Sequence, residues 1–151
     1  MLVFAFTKTK SEAILRLLAL PELEKVFLSG QKSIDILEEI VLATQPKYIL
    51  GIGEYSGRDK EAIRIETICS NKFRNTLSGS KLEYKEINPF VVAGNEMKTS
   101  KGMGNSWCNL VSYRLMSLPD MRGGYTFLHI PKSFDIKRAA TLIGTQIAQI
   151  E

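Results

Sequence analysis

The sequence contains few of the residues that bind metals or form disulfides, with two cysteines and one histidine among its 151 residues. Cys69 and Cys108 are too few and too far apart to indicate a disulfide framework. A structural zinc site normally takes four Cys or His ligands in close pairs, and this chain has no such pairs. We therefore expect a reduced, cytoplasmic protein without a metal site.

Long hydrophobic runs and clusters of like charge are also missing from the sequence. The apolar segment at residues 1–6 is much shorter than the run of about 18 residues that indicates a membrane span. The net charge of +4 comes from 20 basic and 16 acidic residues that are dispersed along the chain. Nucleic-acid-binding proteins usually concentrate positive charge in a patch or stripe. The sequence therefore predicts neither a membrane partner nor a nucleic-acid partner.

The composition is that of an ordinary globular protein, with 44% hydrophobic and 24% charged residues. At this length, folding buries about 70% of the surface that the unfolded chain exposes. We therefore expect residues 1–151 to form a single domain that folds without disulfides or metals.

Apolar periodicity alternates along the chain between a strand pattern and a helix pattern. Strands are predicted at residues 2–6, 25–28, 48–52, 62–70, 82–87 and 125–130, with a polar loop at 94–106. Helices are predicted to begin at Ser11, at Ser33, near Cys108, and at Ser133 or Asp135. This alternation is typical of an α/β fold in which helices cover both faces of a mostly parallel, mixed sheet.

Cys108 lies where a polar, glycine-containing loop becomes an apolar helical run, in Gly104-Asn-Ser-Trp-Cys-Asn-Leu-Val-Ser-Tyr113. Free backbone N–H groups at a helix N-terminus favour a thiolate, and lower cysteine pKa values from about 8.5 to roughly 3.5–7.5. Cys108 is therefore a candidate nucleophile with an expected low pKa. Cys69 alternates with Ile63 and Ile65 along a predicted strand, and we assign it to the core.

His129, the only histidine, ends the last predicted strand in Tyr125-Thr-Phe-Leu-His-Ile-Pro131. Reactive groups in α/β sheets gather at the carboxyl ends of strands and in the loops that follow them. A Cys/His pair needs a third group to orient the imidazole, and a carboxylate in an apolar strand suits that role. Glu66 is the carboxylate with that character, so the sequence indicates a Cys-His-Glu triad.

Each of these residues also has an ordinary structural interpretation. A single histidine at a strand end is often structural, and a cysteine at a helix start often serves as a small apolar residue. Glu66 could pair with nearby Arg64 on a solvated sheet face. The segment Gly51-Ile-Gly-Glu-Tyr-Ser-Gly57 follows a strand, as dinucleotide-binding loops do. Its third glycine comes one position late, however, and no helix pattern follows it.

Four segments together resemble the successive signatures of the pyroglutamyl peptidase I (pyrrolidone-carboxylate peptidase) family of cysteine peptidases. In the family's order they are Gly53-Glu-Tyr-Ser-Gly-Arg58, Glu66-Thr-Ile-Cys-Ser-Asn71, Gly104-Asn-Ser-Trp-Cys-Asn109 with Tyr113, and Phe127-Leu-His-Ile-Pro131. The resemblance implies a three-layer α/β/α sandwich and a cytoplasmic thiol protease without a cofactor, commonly a homo-oligomer. It implies Cys108 as nucleophile, His129 as general base and acid, and Glu66 as the group that orients His129.

The sequence departs from this family at the substrate side of the site. Family members carry a Gly-Phe-Glu-Pro-Phe-like loop whose aromatic rings hold the pyroglutamyl group, whereas here Phe4-Ala-Phe6 leads directly into Thr7-Lys-Thr-Lys10. Glu54 replaces the usual Gln, Trp107 replaces a smaller residue, and Arg74 is nearest to the family's oxyanion-stabilising arginine. We expect a divergent or shortened member in which these three residues contact the substrate.

Two functions remain open on this basis. The first is a cysteine peptidase or amidohydrolase, an omega-peptidase that acts on an N-terminal pyroglutamyl group or a related small amide. The second is a non-catalytic relative that keeps the scaffold and the three residues but serves as a binding or interaction module. Turnover that depends on the thiol separates the two hypotheses.

Overall fold

The computed structural model describes residues 1–57, 61–119, 121 and 123–150. The strands in these residues are β1 (Leu2–Phe6), β2 (Glu24–Leu28), β3 (Tyr48–Tyr55), β4 (Ile63–Glu66), β5 (Ile68–Ser70), β6 (Lys72–Phe73), β7 (Thr76–Leu77), β8 (Tyr84–Glu86), β9 (Met97–Ser100) and β10 (Gly124–Pro131). The helices are α1 (Lys10–Leu17), α2 (Gln31–Thr44), α3 (Trp107–Met116) and α4 (Ile136–Ala148).

Six strands form a central sheet in the order β2-β1-β3-β10-β4-β9. Neighbouring strands in this sheet run parallel, except that β10 and β4 are antiparallel. The carboxyl ends of β3 and β10 therefore lie side by side, with Gly53 in register with His129. The prediction of a mostly parallel, mixed sheet is confirmed.

Helices cover both faces of the sheet, because its buried strands are apolar on both sides. Val3, Leu50 and Leu128 lie in the core on the face that packs against α1 and α4. Phe4 and Phe127 lie in the core on the opposite face, which is covered by α2 and α3. The result is the three-layer α/β/α architecture that the resemblance implied.

Helix starts differ slightly from the sequence prediction. Asp135 is the N-cap of α4, as predicted, and its carboxylate accepts a hydrogen bond from the backbone N–H of Arg138 at 2.7 Å. The N-cap positions of α1 and α2 are Thr9 and Gly30, so Ser11 and Ser33 lie inside the first turns. At Gly30 the backbone has a φ of 83°, a value that favours glycine over serine.

The predicted strand at residues 62–70 is in fact two strands in different sheets. β4 ends at Glu66, and β5 pairs with β8 instead of continuing in the central sheet. Thr67 marks the break, because its backbone N–H donates to the carbonyl of Ser100. Because of this break, Cys69 does not point to the same side of the sheet as Ile63 and Ile65. It is buried on the α2/α3 side, whereas they lie on the α1/α4 side. The burial of Cys69 is confirmed, but the prediction that it shares their face is wrong.

The polar segment at residues 94–106 contains a strand that the sequence analysis placed in a loop. β9 pairs in parallel with β4 at the edge of the central sheet. Only Met97 of this strand is buried. An edge strand with one buried side chain lacks the alternation that identifies strands in a sequence, which explains the wrong prediction.

Candidate active site

The glycines of β3 leave room for the candidate nucleophile. A Cβ atom at Gly53 would lie 2.7 Å from Sγ of Cys108, and a Cβ at Gly51 would collide with the rings of Phe4 and Phe127. These glycines therefore permit close packing against the sheet. This packing explains the glycines of the segment at residues 51–57 without a dinucleotide site. Arg58, at the end of this signature, lies outside the described residues.

Cys108 is in the first turn of α3, directly over β3. Trp107 begins the helix after Ser106, whose side chain makes no cap hydrogen bond. The first N–H groups of a helix have no partners within it, so this turn presents donors near the thiol. Because Sγ lies over Gly53, the register partner of His129, the thiol and the imidazole belong to adjacent positions on one face of the sheet.

His129 and Glu66 are in direct contact on that face. Nδ1 of His129 lies 2.7 Å from Oε1 of Glu66, and the exposed fractions of the two residues are 4% and 0%. The antiparallel pairing of β10 with β4 brings them together, since Glu66 is opposite Phe127. The imidazole also packs between Phe127, with ring centroids 5.0 Å apart, and Tyr55, at 6.0 Å.

Glu66 also approaches Arg64, the partner considered in the structural interpretation. Nε of Arg64 lies 3.4 Å from Oε1 of Glu66. The face is not solvated, because Glu66 is fully buried and only 14% of the Arg64 side chain is exposed. Oε2 of Glu66 is buried without a hydrogen-bond partner among the residues that the structure describes. The carboxylate therefore combines a histidine contact, an arginine contact and one buried oxygen.

The environment of Cys108 does not favour the thiolate that its position at a helix start suggested. Burial, with a smaller contribution from the charge of Glu66, raises the pKa of the Cys108 thiol to about 12. Hydrogen bonding to Ser106 and to the backbone N–H of Cys108 itself lowers this pKa, but not enough to offset the lost hydration. The thiol is therefore neutral at pH 7 in the free protein, contrary to the expected low pKa.

A cleft of about 350 Å³ opens beside the thiol. Its lining consists of apolar, hydroxyl and carboxylate side chains together with glycine, namely Phe6, Thr7, Thr9, Leu28, Ser29, Gly30, Glu54, Ser106, Trp107 and Cys108. Residues 7–9 are the whole connection between β1 and α1, so the short connection predicted in place of an aromatic loop is present. Cys108 is one of the residues that border this cleft.

Glu54 lies at the cleft and also contacts α1. Its Oε2 accepts a hydrogen bond from the backbone N–H of Lys10 at 3.0 Å, and its Oε1 lies 3.6 Å from Nζ of Lys132. Nζ of Lys10 in turn donates to the carbonyl of Phe134 at 2.7 Å. Glu54 therefore supports the first turn of α1 while its carboxylate borders the cleft.

Trp107 and Arg74 meet at the rim of the site. The Trp107 ring packs against Phe73, with centroids 4.7 Å apart. The Arg74 guanidinium lies 5.1 Å from the Phe73 ring and 5.9 Å from the Trp107 ring. The backbone N–H of Arg74 donates to the carbonyl of Asn105, and the side-chain amide of Asn105 donates to the carbonyl of Arg74, which joins this arginine to the loop before α3. Arg74 is thus close to the start of the cysteine helix, on the β6–β7 hairpin.

Asn109 is a structurally important residue to which the sequence analysis gave no role. Its buried amide accepts from the N–H of Ser70 at 2.8 Å, and donates to the carbonyls of Ser70 and Lys72 at 2.9 and 2.6 Å. These bonds join α3 to β5 and β6. The sequence did contain a signal for this role, because a buried amide in an apolar helical run needs hydrogen-bond partners in the core.

The described part of the chain contains no group of three or more His, Cys, Asp or Glu side chains that could hold a metal ion. Within the same residues, no helix is both long enough and apolar enough to cross a membrane.

The architecture has structural counterparts in one class of peptidase. The fold is that of the pyrrolidone carboxyl peptidases, or pyroglutamyl peptidases I. No protein-family model matches the sequence, and neither does any curated protein. The structural matches confirm the expected resemblance at the level of the fold.

Three solved structures illustrate the similarity. The pyrrolidone carboxyl peptidase from Thermus thermophilus has a TM-score of 0.76 at 19% identity, and the match covers 99% of each chain. The enzyme from Thermococcus litoralis has a TM-score of 0.76 at 14% identity, over 97% of this chain and 90% of that one. Pyroglutamyl peptidase I from Bacillus amyloliquefaciens has a TM-score of 0.74 at 21% identity, over 95% and 92%. The fold matches over almost the whole length of the chain although the sequence identity is low. The chain is therefore a divergent example of this fold.

Proposed function

We propose that this protein is a cysteine-dependent amidohydrolase that removes a small N-terminal acyl group, such as pyroglutamyl, from a peptide or amide. The observation that carries the proposal is the buried contact of 2.7 Å between Glu66 and His129, on the sheet face over which Cys108 lies. A nucleophile, a base and a group that orients the base are the minimum set for this chemistry. The shared fold of the pyroglutamyl peptidases supports the choice of reaction.

The Glu66 contact defines the proposed role of each imidazole nitrogen. A carboxylate only accepts hydrogen bonds, so Nδ1 of His129 carries the hydrogen and Nε2 has the free lone pair. Nε2 takes the proton from Sγ of Cys108 as sulfur attacks the amide carbonyl carbon. Because the thiol is neutral at rest, proton transfer and attack are coupled rather than preceded by ionisation.

The rest of the proposed cycle follows from that transfer. The tetrahedral intermediate collapses, the C–N bond breaks, and His129 returns the proton to the leaving amine. A water molecule, deprotonated by His129, then attacks the thioester and releases the acid and the thiol. The backbone N–H of Cys108, in the first turn of α3, donates to the oxyanion.

The cleft defines the proposed substrate side. Phe6, Leu28 and Trp107 provide apolar walls for a small acyl group, while Glu54 places a carboxylate at its border. Arg74, stacked beside Trp107, is proposed to contact the substrate beyond the scissile bond. The short β1–α1 connection provides no loop to enclose a ring, so we expect weak activity on pyroglutamyl peptides.

A panel of fluorogenic coumarin amides tests this proposal. The panel includes pyroglutamyl, prolyl, alanyl and acetyl derivatives, each measured with the wild type, with Cys108→Ala and with Cys69→Ala. We expect turnover of at least one small acyl amide by the wild type and Cys69→Ala, and none by Cys108→Ala. Equal turnover by Cys108→Ala would refute a thiol mechanism.

A binding or interaction module is the second candidate, and the neutral, mostly buried thiol favours it. Binding of amides to the cleft without release of coumarin in any member of the panel would support it. Retention of the same binding by Cys108→Ala would show that sulfur contributes nothing to recognition.

A further inference from the structure

We propose that Arg64 is a positioning residue for the site, holding the Glu66 carboxylate and the loop before α3 in one unit. This inference rests on the proposed triad and extends it by a fourth side chain. Arg64 makes no proposed contact with substrate. Its role is to fix the carboxylate that in turn orients His129.

The buried carboxylate of Glu66 needs a compensating partner. A fully buried carboxylate loses its hydration, and this loss must be offset by an opposite charge or by hydrogen bonds. Oε1 has His129 at 2.7 Å and Arg64 at 3.4 Å, while Oε2 has no hydrogen-bond partner among the residues described. Arg64 is thus the cation that compensates this carboxylate.

The guanidinium of Arg64 is itself held in place. Nε donates to Oγ of Ser100 at 3.0 Å, and Nη2 donates to the same oxygen and to the carbonyl of Gly102 at 3.0 Å. The guanidinium carbon also lies 4.2 Å from the centre of the Tyr55 ring. An arginine fixed by a planar stack and several acceptors has lost its side-chain freedom, unlike a mobile surface ion pair.

The partners of Arg64 lie at the end of β9 and directly after it. Ser100 ends β9, and Gly102 is in the segment that leads from β9 to the cysteine helix. A Cβ atom at Gly102 would lie 3.0 Å from Nη2 of Arg64, so this residue has little room for a side chain. Arg64 therefore joins Glu66 to the segment that carries Ser106 and Cys108. Loss of the arginine would loosen both sides of the proposed triad together.

The test uses His129, which is the only histidine and therefore gives the only imidazole signals in the protein. Proton NMR of the wild type should show a downfield Nδ1–H resonance from the hydrogen bond to Glu66. Arg64→Met should broaden this resonance or move it upfield. Arg64→Lys, which keeps the charge but not the planar fork, should retain it in part. Arg138→Met, which breaks an exposed ion pair with Glu96, is the matched control and should leave it unchanged.

Kinetics provide the second measurement. Arg64→Met should lower kcat by about 10- to 100-fold with little change in KM, because a displaced base slows chemistry without removing substrate contacts. Arg64→Lys should recover part of the loss. If Arg64→Met does not fold, Ser100→Ala removes one anchor of the guanidinium and should give smaller changes in the same direction.

The possible outcomes separate this inference from the proposed function. A wild-type resonance and an unchanged kcat in Arg64→Met would overturn the positioning role, even if turnover depends on Cys108. Absence of turnover in the wild type would overturn the proposed function instead. In that case the NMR comparison alone decides whether Arg64 holds the Glu66–His129 contact.

Discussion

Among single residues, Glu66 has the clearest effect on the proposed chemistry, because it contacts only one of the two imidazole nitrogens. Its carboxylate accepts from Nδ1 of His129 and thereby leaves Nε2 available for the thiol proton. An amide at this position could donate to Nδ1 and stabilise the opposite tautomer. The geometry of the strand pairing would be unchanged, but the lone pair would be on the wrong nitrogen.

We therefore expect Glu66→Gln to fold and to lose most of its activity. The reduction in kcat should be roughly 10²- to 10⁴-fold, with a smaller change in KM. Steady-state kinetics on the best amide of the panel measure it, and near-ultraviolet circular dichroism checks the fold. Activity within a factor of two of the wild type would show that Glu66 does not orient the base.

The neutral thiol of Cys108 gives a second prediction at this scale. Because its pKa is raised to about 12, the thiolate fraction grows with pH throughout the range from 7 to 10. The rate of alkylation by iodoacetamide should therefore rise over that range without a plateau. Mass spectrometry of peptides containing Cys108 measures the rate at each pH, with Cys69→Ala as the background. A plateau reached near pH 6 to 7 would indicate a preformed thiolate instead.

Residue types and their contexts indicated which side chains lie near one another better than they indicated the electrostatics of those side chains. Glu66 stood out because it interrupts an apolar strand, and His129 because it is unique. The pKa of Cys108 could not be inferred in the same way. A helix start is visible in a sequence, but the desolvation that exceeds its effect depends on what packs over the thiol.

At the scale of elements, Asn109 links the cysteine helix to the chain that follows Glu66. Its amide makes two buried hydrogen bonds to the backbone of Ser70 in β5 and one partly buried hydrogen bond to the carbonyl of Lys72 in β6. Removing the amide leaves several buried backbone groups without partners.

Asn109→Ala should accordingly lower the free energy of unfolding by about 2 to 4 kcal/mol. Asn105→Ala, which removes one exposed hydrogen bond to Arg74, is the control and should cost less than about 1 kcal/mol. Urea denaturation of both variants provides the comparison. Equal losses for the two would mean that the Asn109 amide does not contribute specifically to the link between α3 and the strands.

The elements that the sequence predicted best are the long buried ones. β3, β10 and the four helices have strong apolar periodicity, and their existence followed from it. β9 and the break at Thr67 did not, because both depend on backbone pairing with distant residues rather than on local pattern. The contact between Glu66 and His129 depends on the antiparallel pairing of β4 with β10. The sequence indicated that a carboxylate in an apolar strand suits the imidazole, but it did not show this pairing.

At the scale of the whole molecule, burial of the Cys69 thiol makes the free energy of unfolding depend on pH in the alkaline range. Burial raises the pKa of Cys69 to about 12 from an unperturbed value of 9.0. Well below pH 9 this thiol is protonated in both the folded and the unfolded states. As the pH rises from 9 towards 12, the unfolded state ionises first, so the contribution of Cys69 to stability decreases.

The difference in unfolding free energy between the wild type and Cys69→Ala should therefore become smaller between pH 8 and 10.5. Comparing the two proteins at each pH cancels the titration of the other side chains. Urea titrations at intervals of half a pH unit provide the measurement. A difference that stays constant across this range would contradict the raised pKa.

The same urea curves also test the expectation of one domain. Residues 1–151 should unfold in one cooperative transition.

The fold extends over nearly the full length of peptidases that share about one residue in five with this chain. Core packing and sheet order persist at such identities, whereas substrate selection depends on a few side chains at the cleft. The chain carries a cysteine, a histidine and a carboxylate on one face of the central sheet, and only residues 7–9 connect β1 to α1. Homo-oligomer formation stays a prediction from the resemblance.

Trapping of the acyl-enzyme tests the central proposal most directly. The protein is mixed with an excess of the best small acyl coumarin amide, quenched in acid within one turnover, and analysed by intact and peptide mass spectrometry. We expect a mass increase of one acyl group, located on Cys108, with release of one equivalent of coumarin. Cys108→Ala should show neither change. Coumarin release without acylation of Cys108, or with acylation at another residue, would contradict the proposed mechanism.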